Sequence, residues 1–122
     1  MAAYNFKKQF APAVKSGEKR CTMRQRRKNG YVPKIGELID LYTGMRSKGC
    51  TKLCRVMVKL VRPITIICDD DDRTHVHLDG RELMLHQVKD LAVQDGFGSI
   101  AEFRGFFRGQ YGTQAHLYLI EW

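Results

Sequence analysis

The chain has few of the features that mark exported, membrane-spanning or disulfide-stabilised proteins. No apolar run in its 122 residues approaches the roughly 20 residues that a membrane-spanning helix needs. Residues 1–8 contain no apolar stretch of the kind that a secretory signal needs. The four cysteines are therefore predicted to be free thiols in a reducing compartment rather than a disulfide framework. These absences predict a cytoplasmic protein that does not bind a membrane.

Acidic residues are scarce in the first half of the chain. Residues 1–62 contain 16 lysines and arginines but 3 aspartates and glutamates, whereas residues 63–122 contain 5 and 10. The formal net charge of +8 therefore comes wholly from the first half. A clustered positive surface attracts polyanions, and nucleic acid is its usual partner. A basic face that only aids solubility is the alternative.

Short strand-forming segments predict one α+β domain over residues 1–122, which is long enough to bury a core without disulfides or metal. The predicted strands are residues 4–6, 21–24, 37–43, 51–67 with a break at Pro63, a hairpin on either side of Asp79-Gly80, and 115–122. An Asp-Gly pair strongly favours a two-residue hairpin turn. We expect five to seven strands around one small core, which indicates a β-barrel.

Three helices complete the predicted domain. Pro12 opens a short first helix that ends at Gly17. The second helix is predicted from its buried face, formed by Leu85, Val88, Leu91 and Ala92. Ser99 and Glu102 form a capping-box pattern at the start of the third helix. Its inward residues are predicted to be Ile100, Phe103, Phe106 and Phe107.

Residues 16–24 join the end of the first helix to a polar strand and carry three reactive groups. Because strand side chains alternate between faces, Thr22 and Arg24 should face one opening, which Lys19 must reach from the turn. Lys19 can act as a nucleophile or general base where its surroundings favour the neutral amine, and contact with a phosphate is the alternative. Thr22 can hold substrate or relay a proton. Arg24 can bind a phosphate or a base edge.

Two exposed basic loops, residues 25–28 and 45–50, are predicted to flank this opening. Tyr31 and Tyr42 are interleaved with them and can stack on bases, with core packing as the alternative. The predicted substrate-binding residues are Arg24, Arg26, Arg27, Tyr42, Arg46 and Lys48.

The cysteines, histidines and acidic run predict no metal site, and no cofactor is expected. Cys50 and Cys54 are separated by three residues within a strand pattern, which is unusual for a zinc pair and typical of core thiols. Residues 69–72 are four aspartates without the glycine and distal glutamate of a calcium loop, so we expect a solvated turn. His75 and His77 should lie, partly exposed, on one strand face.

Four short motifs occur in order along nearly the whole chain. They are SGEKxxTxR at residues 16–24, GELIxLYTG at 36–44, DGF at 95–97 and LYLIEW at 117–122. Together they resemble the ASCH domain family, small relatives of the PUA RNA-binding barrel. The run at residues 43–50 is similar to a subgroup associated with phage and bacterial genomes. The resemblance implies a small PUA-like β-barrel whose central cleft binds RNA or a modified nucleoside.

The ASCH resemblance also implies catalytic residues. Some ASCH proteins are hydrolases that remove the acetyl group from N4-acetylcytidine, and others have been assigned ribonuclease activity. In the amidohydrolase branch the lysine and threonine match Lys19 and Thr22, and a neighbouring arginine matches Arg24. The glutamate falls near Asp95, whose side chain is one methylene shorter, which predicts a carboxylate set back from the cleft.

Three functions follow from these observations. The first is recognition of RNA or a modified nucleoside by a basic cleft. The second adds hydrolysis, by an N4-acetylcytidine amidohydrolase that uses Lys19, Thr22 and Asp95, or by a ribonuclease. The third is a non-enzymatic interaction protein whose basic face meets an acidic protein. The charge distribution and the resemblance together favour the first.

Overall fold

A computed structural model describes residues 2–122. The elements, in chain order, are β1 (Ala2–Phe6), α1 (Ala11–Ser16), β2 (Cys21–Arg24), β3 (Leu38–Thr43), β4 (Thr51–Met57), β5 (Leu60–Cys68), β6 (Thr74–Leu78), β7 (Arg81–Glu82), α2 (Leu85–Gln94), α3 (Ile100–Tyr111) and β8 (Gln114–Glu121). The α+β class and the three helices are confirmed. Residues 2–122 contain eight strands rather than five to seven, because even the two-residue β7 pairs as a strand.

The strands form two separate sheets. In the smaller sheet, of order β1-β3-β4, β1 runs parallel to β3 and β4 antiparallel to it. The larger sheet is antiparallel and has the order β2-β8-β5-β6-β7. The strand pairing found within residues 2–122 does not close a barrel. The closed barrel is therefore not observed.

Arginine side chains connect the two sheets where β1 and β2, each at the edge of its sheet, approach one another. Arg24 Nη2 donates to the carbonyl oxygen of Asn5 over 2.6 Å. Arg27 Nη2 donates to the carbonyl oxygen of Ala3, also over 2.6 Å. Unpaired backbone groups of an edge strand need partners. Here the guanidinium groups of Arg24 and Arg27 are the partners of two β1 carbonyls.

A single hydrophobic core lies beneath both sheets and contains residues from all three helices. Its centre includes Ile39 and Leu41 of the smaller sheet and Ile64 of the larger one, all at most 1% exposed. The phenylalanines at positions 97, 103, 106 and 107 pack against one another at one end, with ring centroids 4.8–6.1 Å apart. This aromatic end lies next to the candidate site.

The break predicted at Pro63 lies elsewhere in the structure. β4 and β5 are separated at residues 58–59, and Pro63 lies inside β5, paired with Tyr118. The carbonyl of Pro63 accepts from the Asp79 N–H, just beyond the register of β5 with β6. The missing proline N–H therefore falls at the end of that ladder, where its absence costs little.

The predicted hairpin at Asp79-Gly80 is confirmed. Leu78 and Arg81 are paired, and both turn residues have positive φ, 53° and 80°. Positive φ at both central positions is characteristic of the type I′ turn that Asp-Gly favours.

The acidic run at residues 69–72 is more ordered than a simple solvated turn. The Asp70 and Asp72 carboxylates are exposed, as predicted, but the carbonyl oxygen of Asp69 accepts hydrogen bonds from Arg104 and Arg108 of α3. Arg108 Nη2 also donates to the Asp70 carboxylate over 2.8 Å. The turn is therefore fixed to the third helix.

Both long helices begin and end close to the predicted positions, but fewer of their residues are buried than the sequence predicted. Ser99 accepts from the Glu102 N–H as the N-cap of α3, which confirms the capping residue. In α2, Val88 is buried whereas Leu85 is 74% exposed, because Leu85 occupies the first turn and projects past the core. In α3, Ile100 and Phe106 are only partly buried. Of the helices formed by residues 2–122, none has the length and apolar character that a membrane crossing requires.

The structure predicts a large difference between truncations at two helical positions. Phe103→Ala should lower the free energy of unfolding by about 3–5 kcal/mol, because Phe103 is fully buried within the aromatic cluster. Leu85→Ala should change it by less than about 0.5 kcal/mol. Urea unfolding followed by circular dichroism measures both values. Equal losses would contradict the assignment of Leu85 to the surface.

Candidate functional site

The turn between α1 and β2 directs Lys19 into the protein. Gly17 ends α1 with φ of 87°, a left-handed conformation that favours glycine. The Lys19 N–H then bonds to the carbonyl of Ala13 over 3.0 Å, which folds the chain back along the helix. As a result the Lys19 side chain is buried. Lys19 reaches the interior from the turn, as the sequence predicts.

The end of α2 brings Asp95 to Lys19. Lys19 Nζ donates to the carbonyl oxygen of Asp95 over 2.6 Å and also to its carboxylate Oδ1. Gly96 has φ of 94°, and a Cβ there would lie 3.0 Å from the Phe10 ring, so this chain segment passes close against Phe10. Asp95 has one methylene fewer than a glutamate, and the sequence predicted that its carboxylate would be set back from the cleft. This prediction is wrong, because the end of α2 itself lies close to Lys19.

Burial controls the electrostatics of this pair. Desolvation raises the pKa of Asp95 above its ordinary value, against the opposing effect of Lys19. Lys19 Nζ also lies 5.1 Å from the centre of the Phe10 ring and 5.9 Å from that of Phe6, within the range of cation–π attraction. The site is therefore a buried ion pair surrounded by aromatic rings.

Cys21 is a neighbour of this pair that the sequence analysis did not assign to the site. Its sulfur lies 3.8 Å from Asp95 Oδ1. Burial, followed by the charge of Asp95, raises the pKa of Cys21 to about 12. The thiol therefore stays protonated near neutral pH and is a poor nucleophile.

Thr22 and Arg24 lie on one face of β2, in agreement with the alternation argument. Arg24 Nε donates to Thr22 Oγ1 over 2.9 Å. The Arg24 guanidinium lies 4.8 Å from the centre of the Phe6 ring and 5.3 Å from that of Tyr4. Desolvation lowers the pKa of Arg24 below its ordinary value. Because Thr22 Oγ1 accepts from Arg24, its O–H is free to donate to a ligand.

Lys19, Thr22, Arg24 and Asp95 all line one cavity of about 230 Å³. The rest of its wall is formed by Asn5, Phe6, Lys7, Phe10, Met23, Phe97, Phe106, Phe107, Gln110 and Tyr111. Pockets for drug-sized ligands typically measure about 300–1,000 Å³. This smaller cavity fits one flat, base-sized group with polar atoms on one side and aromatic rings on the other.

The other predicted substrate-binding residues do not line the cavity. Arg26 and Arg27 are exposed on the segment after β2, as expected for the first basic loop. Arg46 and Lys48 are exposed in the loop after β3, and Tyr42 is half-buried in β3. Hydrogen bonding connects the second loop to the cavity wall, since Met45 N–H donates to the side chain of Asn5 over 2.9 Å. These residues surround the site rather than form it.

Sequence reasoning missed the aromatic wall. Phe10, Phe106 and Tyr111 line the cavity, but Phe106 was predicted only to face the core, and Phe10 and Tyr111 were given no role in the site. Tyr111 and Phe106 are half-buried, and Tyr111 stacks on Phe107 with 18° between the ring planes. The available signal was the excess of phenylalanine and tyrosine in α3, beyond what one buried helix face requires.

Two prominent grooves near Trp122 contain none of the predicted site residues. Within residues 2–122, no group of three histidine, cysteine, aspartate or glutamate side chains is close enough to hold a metal ion. Cys50, predicted to be a core thiol, is exposed because it lies in the loop before edge strand β4, and Cys54 is only partly buried. The cavity around Lys19 is therefore the best candidate site.

The buried ion pair predicts strong coupling between Lys19 and Asp95. Lys19→Met and Asp95→Leu should each cost about 3–5 kcal/mol of stability, because each leaves a buried charge without its partner. The double variant should cost about 0.5–3 kcal/mol less than the sum. Lys52→Met, which breaks the half-exposed pair with Asp40, should cost about 1 kcal/mol or less. Urea unfolding measures the free energy of unfolding of the two single variants and of the double variant. A double-variant cost equal to the sum of the two single costs would contradict the coupling.

Comparison with known proteins assigns this chain to no family. No protein-family model, curated protein or solved structure matches the chain. The likeness to ASCH domains therefore depends on the residues of the sequence, and the candidate site depends on the contacts described above.

Proposed function

We propose that this protein recognises RNA or a modified nucleoside by enclosing one base in the cavity around Lys19. The observation that carries the proposal is a base-sized, aromatic-walled cavity that also holds Lys19, Thr22 and Asp95. Proteins that recognise unpaired bases stack them on aromatic rings and hydrogen-bond their edges. The cavity offers both kinds of contact.

The polar groups of the cavity complement a pyrimidine edge that contains both donors and acceptors. The Lys19 ammonium has three N–H donors, of which Asp95 takes two, so one remains for a ligand. Thr22 supplies a second donor, and Asp95 Oδ2 is an acceptor. Cytosine presents an amino donor beside ring acceptors. An N4-modified cytidine is therefore the ligand class that we favour.

Charge around the cavity favours a ligand that carries phosphate. Lys7, Lys19 and Arg24 line the cavity together with a single carboxylate, that of Asp95. Lys7 Nζ lies 4.8 Å from the centre of the Phe106 ring at the exposed side of the wall. This excess of cations supports binding of a nucleotide or RNA in preference to a neutral nucleoside.

We also propose that the chain is an ASCH domain with a PUA-like arrangement of strands. The support comes from the four ordered motifs and from Lys19, Thr22 and Asp95, which converge although Asp95 lies 76 residues from Lys19. The arginine contacts between β1 and β2 bring the two sheets together along one edge. That arrangement resembles a barrel that side chains, rather than backbone pairing, complete.

Base stacking in the cavity predicts that Tyr111→Ala weakens binding of cytidine 5′-monophosphate. The loss of one aromatic stacking surface should cost about 1–3 kcal/mol, roughly 5- to 150-fold in Kd. Isothermal titration calorimetry at low salt measures it, and Leu85→Ala, an exposed position outside the cavity, is the control and should leave Kd unchanged. Affinity should fall as salt is added. Equal affinities of wild type and Tyr111→Ala would contradict binding in this cavity.

A second candidate function is hydrolysis of N4-acetylcytidine to cytidine and acetate. The observation that favours it is the direct contact between Lys19 and Asp95, with Thr22 on the same cavity wall. Asp95, whose pKa burial raises above its ordinary value, is the carboxylate available to act as general base. It would accept a proton from water while the water oxygen adds to the acetyl carbon.

The remaining N–H of Lys19 would stabilise the negative charge that develops on the acetyl oxygen. As the C–N bond breaks, the proton held by Asp95 would pass to N4 of the leaving cytosine, with the Thr22 hydroxyl as relay. One water is consumed, and the products are cytidine and acetic acid, which ionises to acetate and releases one proton to solvent. No cofactor enters this reaction.

The hydrolysis hypothesis predicts that Lys19→Met loses activity by about 10²–10³-fold, because it removes the group that stabilises the oxyanion. Mass spectrometry of N4-acetylcytidine incubated with the protein measures cytidine formation. Lys15→Met, an exposed lysine of α1, controls for charge and should retain full activity. Circular dichroism verifies that each variant is folded. If the wild type forms no cytidine, or Lys19→Met forms it equally fast, the hypothesis is wrong.

A further inference from the structure

A chain of alternating arginine and tyrosine side chains leads away from the cavity, from half-buried Arg24 past the buried ring of Tyr4 to exposed Arg27 and half-buried Tyr31. Arg24, at the cavity wall, lies over Tyr4, and Arg27 lies over both Tyr4 and Tyr31. The distances from guanidinium carbon to ring centre along this chain are 5.3, 4.8 and 5.5 Å. We call Arg24, Tyr4, Arg27 and Tyr31 the arginine–tyrosine ladder. It connects the cavity to the first basic loop.

Backbone contacts hold the ladder arginines in fixed positions. Arg24 and Arg27 each use Nη2 to bond to a carbonyl of β1, at Asn5 and Ala3. Residues two apart on a strand present their carbonyls on the same edge, so the two guanidinium groups lie side by side along β1. In the part of the chain that the structure describes, Arg24 donates from Nε and Nη2, and Arg27 donates from Nη2 to β1 and also bonds to the Tyr4 side chain. A guanidinium group has five N–H donors, so each arginine keeps donors for a ligand.

Arg26 adds a third cation beside the ladder. Its Nη2 donates to the hydroxyl of Tyr118 over 2.7 Å, and its guanidinium lies 5.6 Å from the centre of the same ring. Arg26 therefore also rests on an aromatic face instead of moving freely in solvent. Because these side chains are already ordered, binding a ligand costs less conformational entropy.

The ladder cations have no acidic partner within the protein. Among residues 2–122, no carboxylate lies within 4.0 Å of the charged nitrogens of Arg24, Arg26 or Arg27. The arginines that do pair with aspartate lie elsewhere, at positions 55, 62, 104 and 108. The nearby carboxylate of Glu37 is occupied by the Tyr31 hydroxyl and the Lys34 N–H. Positive charge therefore remains uncompensated along this one surface.

We propose that the ladder and Arg26 bind the sugar–phosphate backbone of a single-stranded RNA whose base enters the cavity. This inference deepens the proposed function and rests on it. Arginine forks suit phosphate oxygens, and the half-buried Tyr31 offers a ring face to a flanking base. A base inside a duplex cannot reach an enclosed cavity without leaving the stack. The natural ligand is therefore a strand rather than a free nucleoside.

An acidic protein is the competing partner for this surface. The surface sets the exposed guanidinium groups of Arg26 and Arg27 beside the half-buried rings of Tyr118 and Tyr31, and Arg24 joins it to the base-sized cavity. Such a combination matches phosphates that alternate with bases, whereas an acidic peptide would use only the charges. These features favour RNA.

The proposal predicts a selective loss of strand binding when ladder charges are removed. A fluorescently labelled oligocytidine of about ten nucleotides, within the site sizes known for single-strand binders, is titrated by anisotropy at several salt concentrations. The Arg26→Gln/Arg27→Gln double variant should lower the slope of log affinity against log salt by about 1.4, from two lost phosphate contacts. Its ratio of oligocytidine affinity to cytidine affinity should fall at least about 10-fold.

Controls separate charge, stacking and folding. Lys89→Gln removes one exposed lysine of α2, far along the chain in the acidic half, and should leave the slope and the affinity ratio unchanged. Arg27→Lys keeps the charge but loses the planar fork, so it should retain the salt slope and bind oligocytidine more weakly than wild type. Thermal unfolding by circular dichroism verifies that the variants are folded, since Arg27 also contacts β1.

The outcomes distinguish this inference from the proposed function. If wild type binds cytidine but the double variant keeps the wild-type affinity ratio and salt slope, the strand-binding surface is wrong while the base cavity stands. If wild type binds neither cytidine nor oligocytidine, the proposed function fails. If polyglutamate displaces oligocytidine as effectively as unlabelled oligocytidine does, the surface recognises charge alone and the proposal is overturned.

Discussion

The buried ion pair between Lys19 and Asp95 is the contact on which the site depends. It joins the turn after α1 to the end of α2, two segments that are far apart in sequence. Removing two charged groups from water is costly, and their attraction compensates only when the geometry is good. Here the backbone carbonyl of Asp95 and the nearby rings of Phe6 and Phe10 supply further stabilisation. The same pair then places an amine and a carboxylate at a cavity.

Guanidinium groups serve two purposes at the junction of the sheets. Arg24 and Arg27 satisfy carbonyls on the open edge of β1, and the same contacts hold both guanidinium groups in place. A residue that both supports the fold and faces a ligand is held more rigidly than a free surface side chain. We infer that the positive surface and the cavity function as one continuous binding site. Structural support and recognition are therefore difficult to separate in this region.

Local sequence signals predicted most elements because they depend on short-range physics. Gly17 ends α1, Asp79-Gly80 forms a type I′ turn and Ser99 caps α3, and in each case the residues within a few positions determine the conformation. Pro63 was misread because its tolerance in β5 depends on where β6 ends. Leu85 was misread because helical spacing does not show where the core stops. The closed barrel was an inference about pairing between distant strands, and no local signal determines such pairing.

The sequence by itself determined the α+β class, the concentration of positive charge in residues 1–62 and the common face of Thr22 and Arg24. These properties follow from composition and from the two-residue period of a strand. Only the tertiary structure decided that Asp95 reaches Lys19, that aromatic residues of α3 wall the cavity, and that Arg24 and Arg27 bridge two sheets. Each of these contacts joins segments distant in sequence, and long-range packing rather than residue spacing determines their geometry.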